Sequence, residues 1–424
     1  MPDDVDNGRR VESPPSSLDH QDADAIKEAD HQHHQPVAEA PSKPDAEPST
    51  APPPRAPSAW SRLADLIADQ WFLIGMGIVI AIASQLQVPD SHQRIKEKVV
   101  IYLCVSIIFF VTGCTLDPRL LLSTYMRWRV HLWVQLQCFV LDSAVMFGIV
   151  SATATNQHFM DPGILVGMIF VSCVATTMSS NVVMTGQAGG NRALTVVQTT
   201  LGNFVGVFIS PALVVMYTSV PTWYNQTLPP NAGHFQEIYQ RVLMRLGLSI
   251  YVPLAAGQAI RYFFPKTTAK VFVVWKLNKI GSCCMLVVIW QTYDQAFASG
   301  AFKSVPGTNL VFLVFISIAF WLLIFAITFS ASLLWLPKKD VVAITYCVPA
   351  KGPAIGVPLS TAIFAGIDLQ MESKIQIPIV IYQALQIAFG SILISVFRRW
   401  IEKDEQRNRE REFVDDAHAS SRVS

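Results

Sequence analysis

Thr176-Thr177-Met178-Ser179-Ser180-Asn181-Val182-Val183-Met184-Thr185, running on to Gln187-Ala188-Gly189-Gly190-Asn191, interrupts an otherwise apolar run. Lipid cannot hydrogen-bond a peptide group. Hydroxyls, amides and weak helix formers at membrane depth are therefore tolerated only where protein or a water-filled cavity satisfies them. The stretch predicts a helix broken inside a membrane, and such a break is a candidate binding site.

Composition places the rest of the chain around it. Hydrophobic residues make up 51% and charged residues 15%, an average diluted by two polar ends. A net charge of +1 argues against nucleic acid as a partner and points to no strong electrostatic one. Residues 1 to 58 are rich in Asp, Ser, His and Pro, and have too little apolar content to offset the entropy of folding. They read as a disordered tail without an apolar signal core, so the first membrane helix is the expected targeting signal. The seven cysteines fall in or beside apolar segments and imply no disulfide framework. Cys283-Cys284 reads as small packing residues rather than a metal site, and no metal ligand set is expected, His31-Gln32-His33-His34 being part of the tail.

A span needs roughly 20 mainly apolar residues. That ruler gives 71–88, 98–116, 130–152, 162–188, 192–218, 240–262, 276–297, 309–334, 339–366 and 375–397, an all-α polytopic protein of about ten helices. The fourth and ninth are irregular and hold equivalent places in two halves of about five helices, the pointer to an inverted repeat. Three regions follow: a cytoplasmic tail over 1–64, a membrane domain over 65–400 and a charged cytoplasmic tail over 401–424, in which Glu402 to Glu412 reads as a solvated helix. Lys and Arg set the orientation. With the N-terminus inside, Arg119, Arg127, Arg129, Arg192, Arg261, Lys266, Lys270, Lys338 and Lys339 are cytoplasmic. Arg94, Lys96 and Lys98 go against the rule, falling in the first outer loop. The sequon Asn225-Gln226-Thr227 falls in another outer loop, where a glycan can be attached.

Where a helix stops in a membrane, its end carbonyls can coordinate a cation and a helix start can hold an anion. Thr177, Ser179, Ser180 and Asn181 supply oxygens beside the first break; the blander reading is helix packing by small hydroxyl residues. The next helix adds Thr195, Gln198, Thr199 and Asn203, with Thr195 and Thr199 four apart on one face. The ninth span contains Cys347-Val348-Pro349-Ala350-Lys351-Gly352-Pro353, which cannot continue a regular helix. Lys351 is then an ionisable group near mid-depth, costing at least about 2.5 kcal/mol unless paired or hydrated. Asp142 is the other deep charge and a candidate proton or charge partner. Asp294 reads as interfacial, and Gln383 and Gln386 are weaker candidates to line the same cavity.

On Ser179-Ser180-Asn181-Val182-Val183-Met184-Thr185, Gln187-Ala188-Gly189-Gly190-Asn191, Thr199-Thr200-Leu201-Gly202-Asn203 and Ser210-Pro211, the chain resembles the bile acid:sodium symporter superfamily. Within it the likeness is to the branch of the seventh member of solute carrier family ten, its bacterial relatives and the fungal plasma-membrane regulator of cytosolic calcium. The resemblance covers about 65 to 400 and implies ten helices in two inverted repeats, crossing at discontinuous helices four and nine. It further implies that Ser180, Asn181, Thr195 and Thr199 stand where relatives hold a sodium ion. The acidic ligand's place is taken by Cys347, and Lys351 replaces a Gln that helps hold a second ion. A fixed ammonium repels a cation and can stand in for it. No cofactor is expected, and sodium is doubtful for that reason.

Two classes of function follow. One is a carrier, of an ion or an organic anion, whose role is to restrain calcium influx at the plasma membrane. The other is a non-transporting regulatory subunit of a calcium channel. Membrane lipid, an unidentified solute or ion, a calcium channel and a second copy of the chain are the candidate partners. An enzyme is not expected, because no helix carries paired Asp residues or an HExxH arrangement.

Overall fold

The computed structural model describes residues 71–116, 126–177, 179–228, 235–275, 277 and 279–421. The readings of the N-terminal tail and of His31-Gln32-His33-His34 lie outside them. Every regular element among the described residues is helical. The main ones are α1 (Trp71–Gln85), α2 (Asp90–Val99, continuing through Val100–Val105 and Ser106–Thr115), α3 (Trp128–Leu136, Gln137–Leu141 and Asp142–Thr153 in one run) and α4 (Pro162–Cys173). Then come α5 (Ser179–Gln187), α6 (Arg192–Thr218), α7 (Phe235–Leu246, Gly247–Tyr251 and Val252–Phe263) and α8 (Lys279–Ala298). The chain ends in α9 (Gly307–Leu333), α10 (Lys338–Cys347), α11 (Pro353–Ile363) and α12 (Leu369–Ser421).

Six of these runs are long and apolar enough to cross a membrane: Ser91–Thr115, Trp128–Thr153, Arg192–Thr218, Tyr239–Phe263, Gly307–Leu333 and Leu369–Arg411. Large apolar side chains such as Val311, Phe315, Leu322, Ile392 and Val396 point outward on α9 and α12. An aqueous surface does not carry such patches, whereas lipid accepts them. The chain is a multi-pass membrane protein.

Helices approach closely where glycine removes the side chain. A Cβ on Gly113 of α2 would lie 2.4 Å from the Leu254 carbonyl of α7, and one on Gly257 would lie 2.4 Å from the Phe110 carbonyl. The two glycines face each other, the small-residue contact that lets membrane helices pack without a hydrophobic driving force. Gly167 of α4 similarly admits Pro378 of α12.

The structure alters three local expectations. Arg94, Lys96 and Lys98 sit in the first turns of α2 rather than in a loop. Asp294 is wholly buried within the protein. It pairs with Lys96 and accepts hydrogen bonds from Gln93 Nε2 (2.9 Å) and the Val88 N–H (3.0 Å), so the misplaced positive charge is neutralised inside the protein. Asn225 is 8% exposed, and its Nδ2 donates to the carbonyls of Tyr217 (3.0 Å) and Val220 (2.9 Å). The nitrogen a glycan would use is turned inward. The charged run after Glu402 is helical as expected, but as an unbroken continuation of α12, whose Asp404 and Glu405 pair with Lys338 and Lys339 at the start of α10.

Candidate functional site

Both irregular spans are broken. Residues 174–177 lie between α4 and α5, and 348–352 lie between α10 and α11. The two breaks touch: the Gly352 N–H donates to the Ala175 carbonyl at 3.1 Å, and the Thr176 hydroxyl donates to the Cys347 carbonyl at 2.6 Å. A Cβ on Gly352 would stand 3.0 Å from the Thr177 Cα, so only glycine admits this approach without displacement. Carbonyls and amides stranded by the breaks find partners here instead of in a helix.

Side-chain amides from the following helices complete the pairing. Asn203 of α6 donates to the Thr176 carbonyl at 3.1 Å, and Asn181 of α5 donates to the Thr177 carbonyl at 3.3 Å and the Thr176 hydroxyl at 2.8 Å. Gln386 of α12 takes both backbone groups of Lys351: its Oε1 accepts from the N–H at 2.8 Å and its Nε2 donates to the carbonyl at 2.9 Å. The Tyr382 hydroxyl donates to the Pro349 carbonyl at 2.6 Å.

Lys351 is completely buried, and its Nζ lies 2.8 Å from Oδ2 of Asp142, itself completely buried. Nζ also donates to the Cys138 carbonyl at 2.7 Å. That carbonyl is offered by a local irregularity of α3. Over Gln137–Leu141 the helix widens to a π turn, and the Asp142 N–H bonds to the Gln137 carbonyl five residues back. Such bulges recur at functional sites because they release a backbone group from the ladder. A buried ion pair needs added hydrogen bonds to offset desolvation, and the Cys138 carbonyl supplies one.

Thr176, Thr177, Asn181, Asn203, Cys347, Lys351 and Asp142 thus converge on the junction. Cys347 also reaches Thr195, whose hydroxyl donates to Thr185 at 3.1 Å. The Thr199 hydroxyl turns back to the Val196 carbonyl at 2.9 Å. Gln198 is engaged with α3, contacting His131 Nδ1 at 2.9 Å and accepting from Gln135 at 3.1 Å. Ser180 bonds to Thr177 at 3.4 Å, while the Ser179 side chain lies outside the described residues. Asn181 Oδ1 is buried with no hydrogen-bond partner, an acceptor aimed into the junction. A cavity of about 110 Å³ is lined by Thr177, Ser180 and Gln383, with Trp71 and Phe72 of α1 and Ser282 of α8. Thr176, Tyr382 and the Cys138 carbonyl were not singled out from sequence. Thr176 opens the polar run without being chosen as a site residue; the other two carry no local signal.

A family model describing the SBF-like CPA transporter family matches residues 70–399. The chain belongs to that family. Among SBF-like relatives, a protein named solute carrier RCH1 from Candida albicans is 34% identical over 383 residues, covering 82% of this chain and 92% of its own. Its namesake from Saccharomyces cerevisiae is 31% identical, covering 81% and 87%. Sodium/bile acid cotransporter 7 of Xenopus tropicalis is 29% identical over 359 residues, covering 80% and 94%. These relatives are carriers rather than enzymes, and the match spans both breaks.

Proposed function

We propose that this SBF-like protein is a carrier of the plasma membrane that restrains calcium influx and keeps cytosolic calcium low, with the Lys351 ammonium standing where sodium-coupled relatives hold an ion. The observation that carries the reading is the buried Lys351 at the junction of the two breaks, matched by Asp142 and the Cys138 carbonyl. A cation entering there meets a carboxylate already matched by a fixed ammonium. Either the ammonium replaces the ion permanently or it titrates as a proton carrier. The calcium role is supported by the resemblance to the fungal regulator branch.

In this reading the helices form ten membrane segments in two inverted repeats of five, α4 with α5 and α10 with α11 being the crossed fourth and ninth. Both termini face the cytoplasm, following the distribution of Lys and Arg. Residues 65–400 form the carrier, and the flanking regions are cytoplasmic tails. Ser180, Asn181, Thr195, Thr199, Cys347 and Lys351 surround the bound species.

Asn181→Leu tests the carrier against a contact regulator of a calcium channel. Asn181 is wholly buried and its amide bonds both Thr176 and Thr177, so the substitution strips the polar group from the junction without altering the outer surface. In cells dependent on this protein, with surface expression matched to wild type, cytosolic calcium after an influx stimulus should rise to the level of cells lacking it. Calcium that stays at the wild-type level would mean the site is not used, and the carrier reading would fail.

A further inference from the structure

A second buried charge cluster lies away from the junction, where α2 meets α12. Arg94 Nη1 contacts Oε2 of Glu372 at 2.8 Å and Oε2 of Glu97 at 3.3 Å. Both carboxyl groups are buried, with side-chain exposures of 1% and 3%, whereas Arg94 is 48% exposed. Both carboxyl groups reach the same guanidinium nitrogen, which brings them side by side. Their remaining oxygens, Oε1 of Glu97 and Oε1 of Glu372, are both buried and have no hydrogen-bond partner. Two ionised carboxylates sharing one guanidinium would leave a net negative charge out of water and two unsatisfied acceptors.

Among the described residues no cation other than Arg94 pairs with either carboxyl group. Lys96 is committed to Asp294, and Lys374 of α12 lies 2.8 Å from Asp161. Lys98 and Arg245 line a cavity of about 210 Å³ against which Arg94 and Glu97 also lie, and Arg245 is turned toward the Thr361 carbonyl of α11 at 3.5 Å. We propose that Glu97 and Glu372 hold one proton between them, forming a proton-binding site that bridges α2 and α12 and exchanges with solution through this cavity. The proton comes from water. It makes one carboxyl a donor to the other, satisfies both orphaned oxygens and leaves one carboxylate to balance Arg94. The site is distinct from the Lys351 junction and does not depend on how that junction is read. Binding a proton favours the arrangement in which α2 and α12 stay together; losing it places like charges across their contact.

The test is isotope-edited infrared spectroscopy on the full chain in nanodiscs at neutral pH, with carbon-13 glutamate separating glutamates from aspartates. Wild type should show a carbonyl-stretch band of one protonated glutamate that disappears as pH is raised. Glu97→Gln and Glu372→Gln should each abolish it, because either change leaves one carboxylate for one guanidinium. Should either variant fail to fold, the labelled wild-type band and its pH titration decide alone. Absence of the wild-type band, or its persistence in both folded variants, would overturn the proposal. Loss of the band on adding sodium or calcium chloride at fixed pH would also overturn it, by showing that the oxygens are a metal site.

Discussion

The two breaks solve one problem with different chemistry. At 174–177 the stranded groups are met by neutral side chains: Asn203 and Asn181 donate to carbonyls, and one amide oxygen of Asn181 is left over. At 348–352 a single amide, Gln386, clamps both backbone groups of Lys351, and the side chain of that residue brings a full charge that α3 must neutralise. The first break keeps a spare acceptor; the second keeps a spare cation and its counter-ion. A site made from both is asymmetric in charge although its backbone is similar on the two sides.

Removing the counter-ion should break the comparison most severely. Asp142→Ala leaves a buried ammonium uncompensated, for which a loss of about 3–5 kcal/mol is expected. Thermal unfolding in detergent should show a large fall in Tm. Adding Lys351→Met to that variant should recover much of it, since removing both charges costs far less than removing one. A double variant no more stable than Asp142→Ala would mean the pair does not couple.

Next come the amide clamps. Gln386→Leu orphans two backbone groups and Asn203→Leu one at the first break, each group costing at least about 1 kcal/mol when left unpaired. The Tm loss should therefore be larger for Gln386→Leu. Equal losses would show that the two breaks are held alike.

The smallest effect expected is none. Sodium at ten times the Kd of a real site adds about 1.4 kcal/mol to stability. Replacing choline by sodium at constant ionic strength should leave the Tm of the wild type unchanged. A saturable sodium-dependent rise that also survived Lys351→Met would show that the ammonium does not occupy the ion's place.

The breaks were legible because lipid enforces a simple rule. Polar residues at 176–181 and two prolines around Lys351 cannot sit in an unbroken apolar helix, and no tertiary knowledge is needed to say so. Asp142 was legible for the same reason, as a charge without a local excuse. The Cys138 carbonyl was not, because its availability depends on one π turn in a sequence of ordinary helix formers. The pairing of Asp294 was not legible, because its partner, Lys96, lies 198 residues away and looked like part of a loop. Gln386 was seen only as a polar lining residue; its role comes from a register between α12 and the second break that periodicity does not encode.

The length of α12 has a mechanical consequence. Its 53 residues extend about 80 Å, against a hydrocarbon layer of about 30 Å. The stem is fastened to the start of α10 through Lys338 and Lys339. Any tilt of α10 is therefore carried to the end of the helix about 25 Å beyond Asp404, which a 5° swing moves by about 2 Å at this helical rise. The end of the chain thus reports the angle of α10 at a distance from the two breaks.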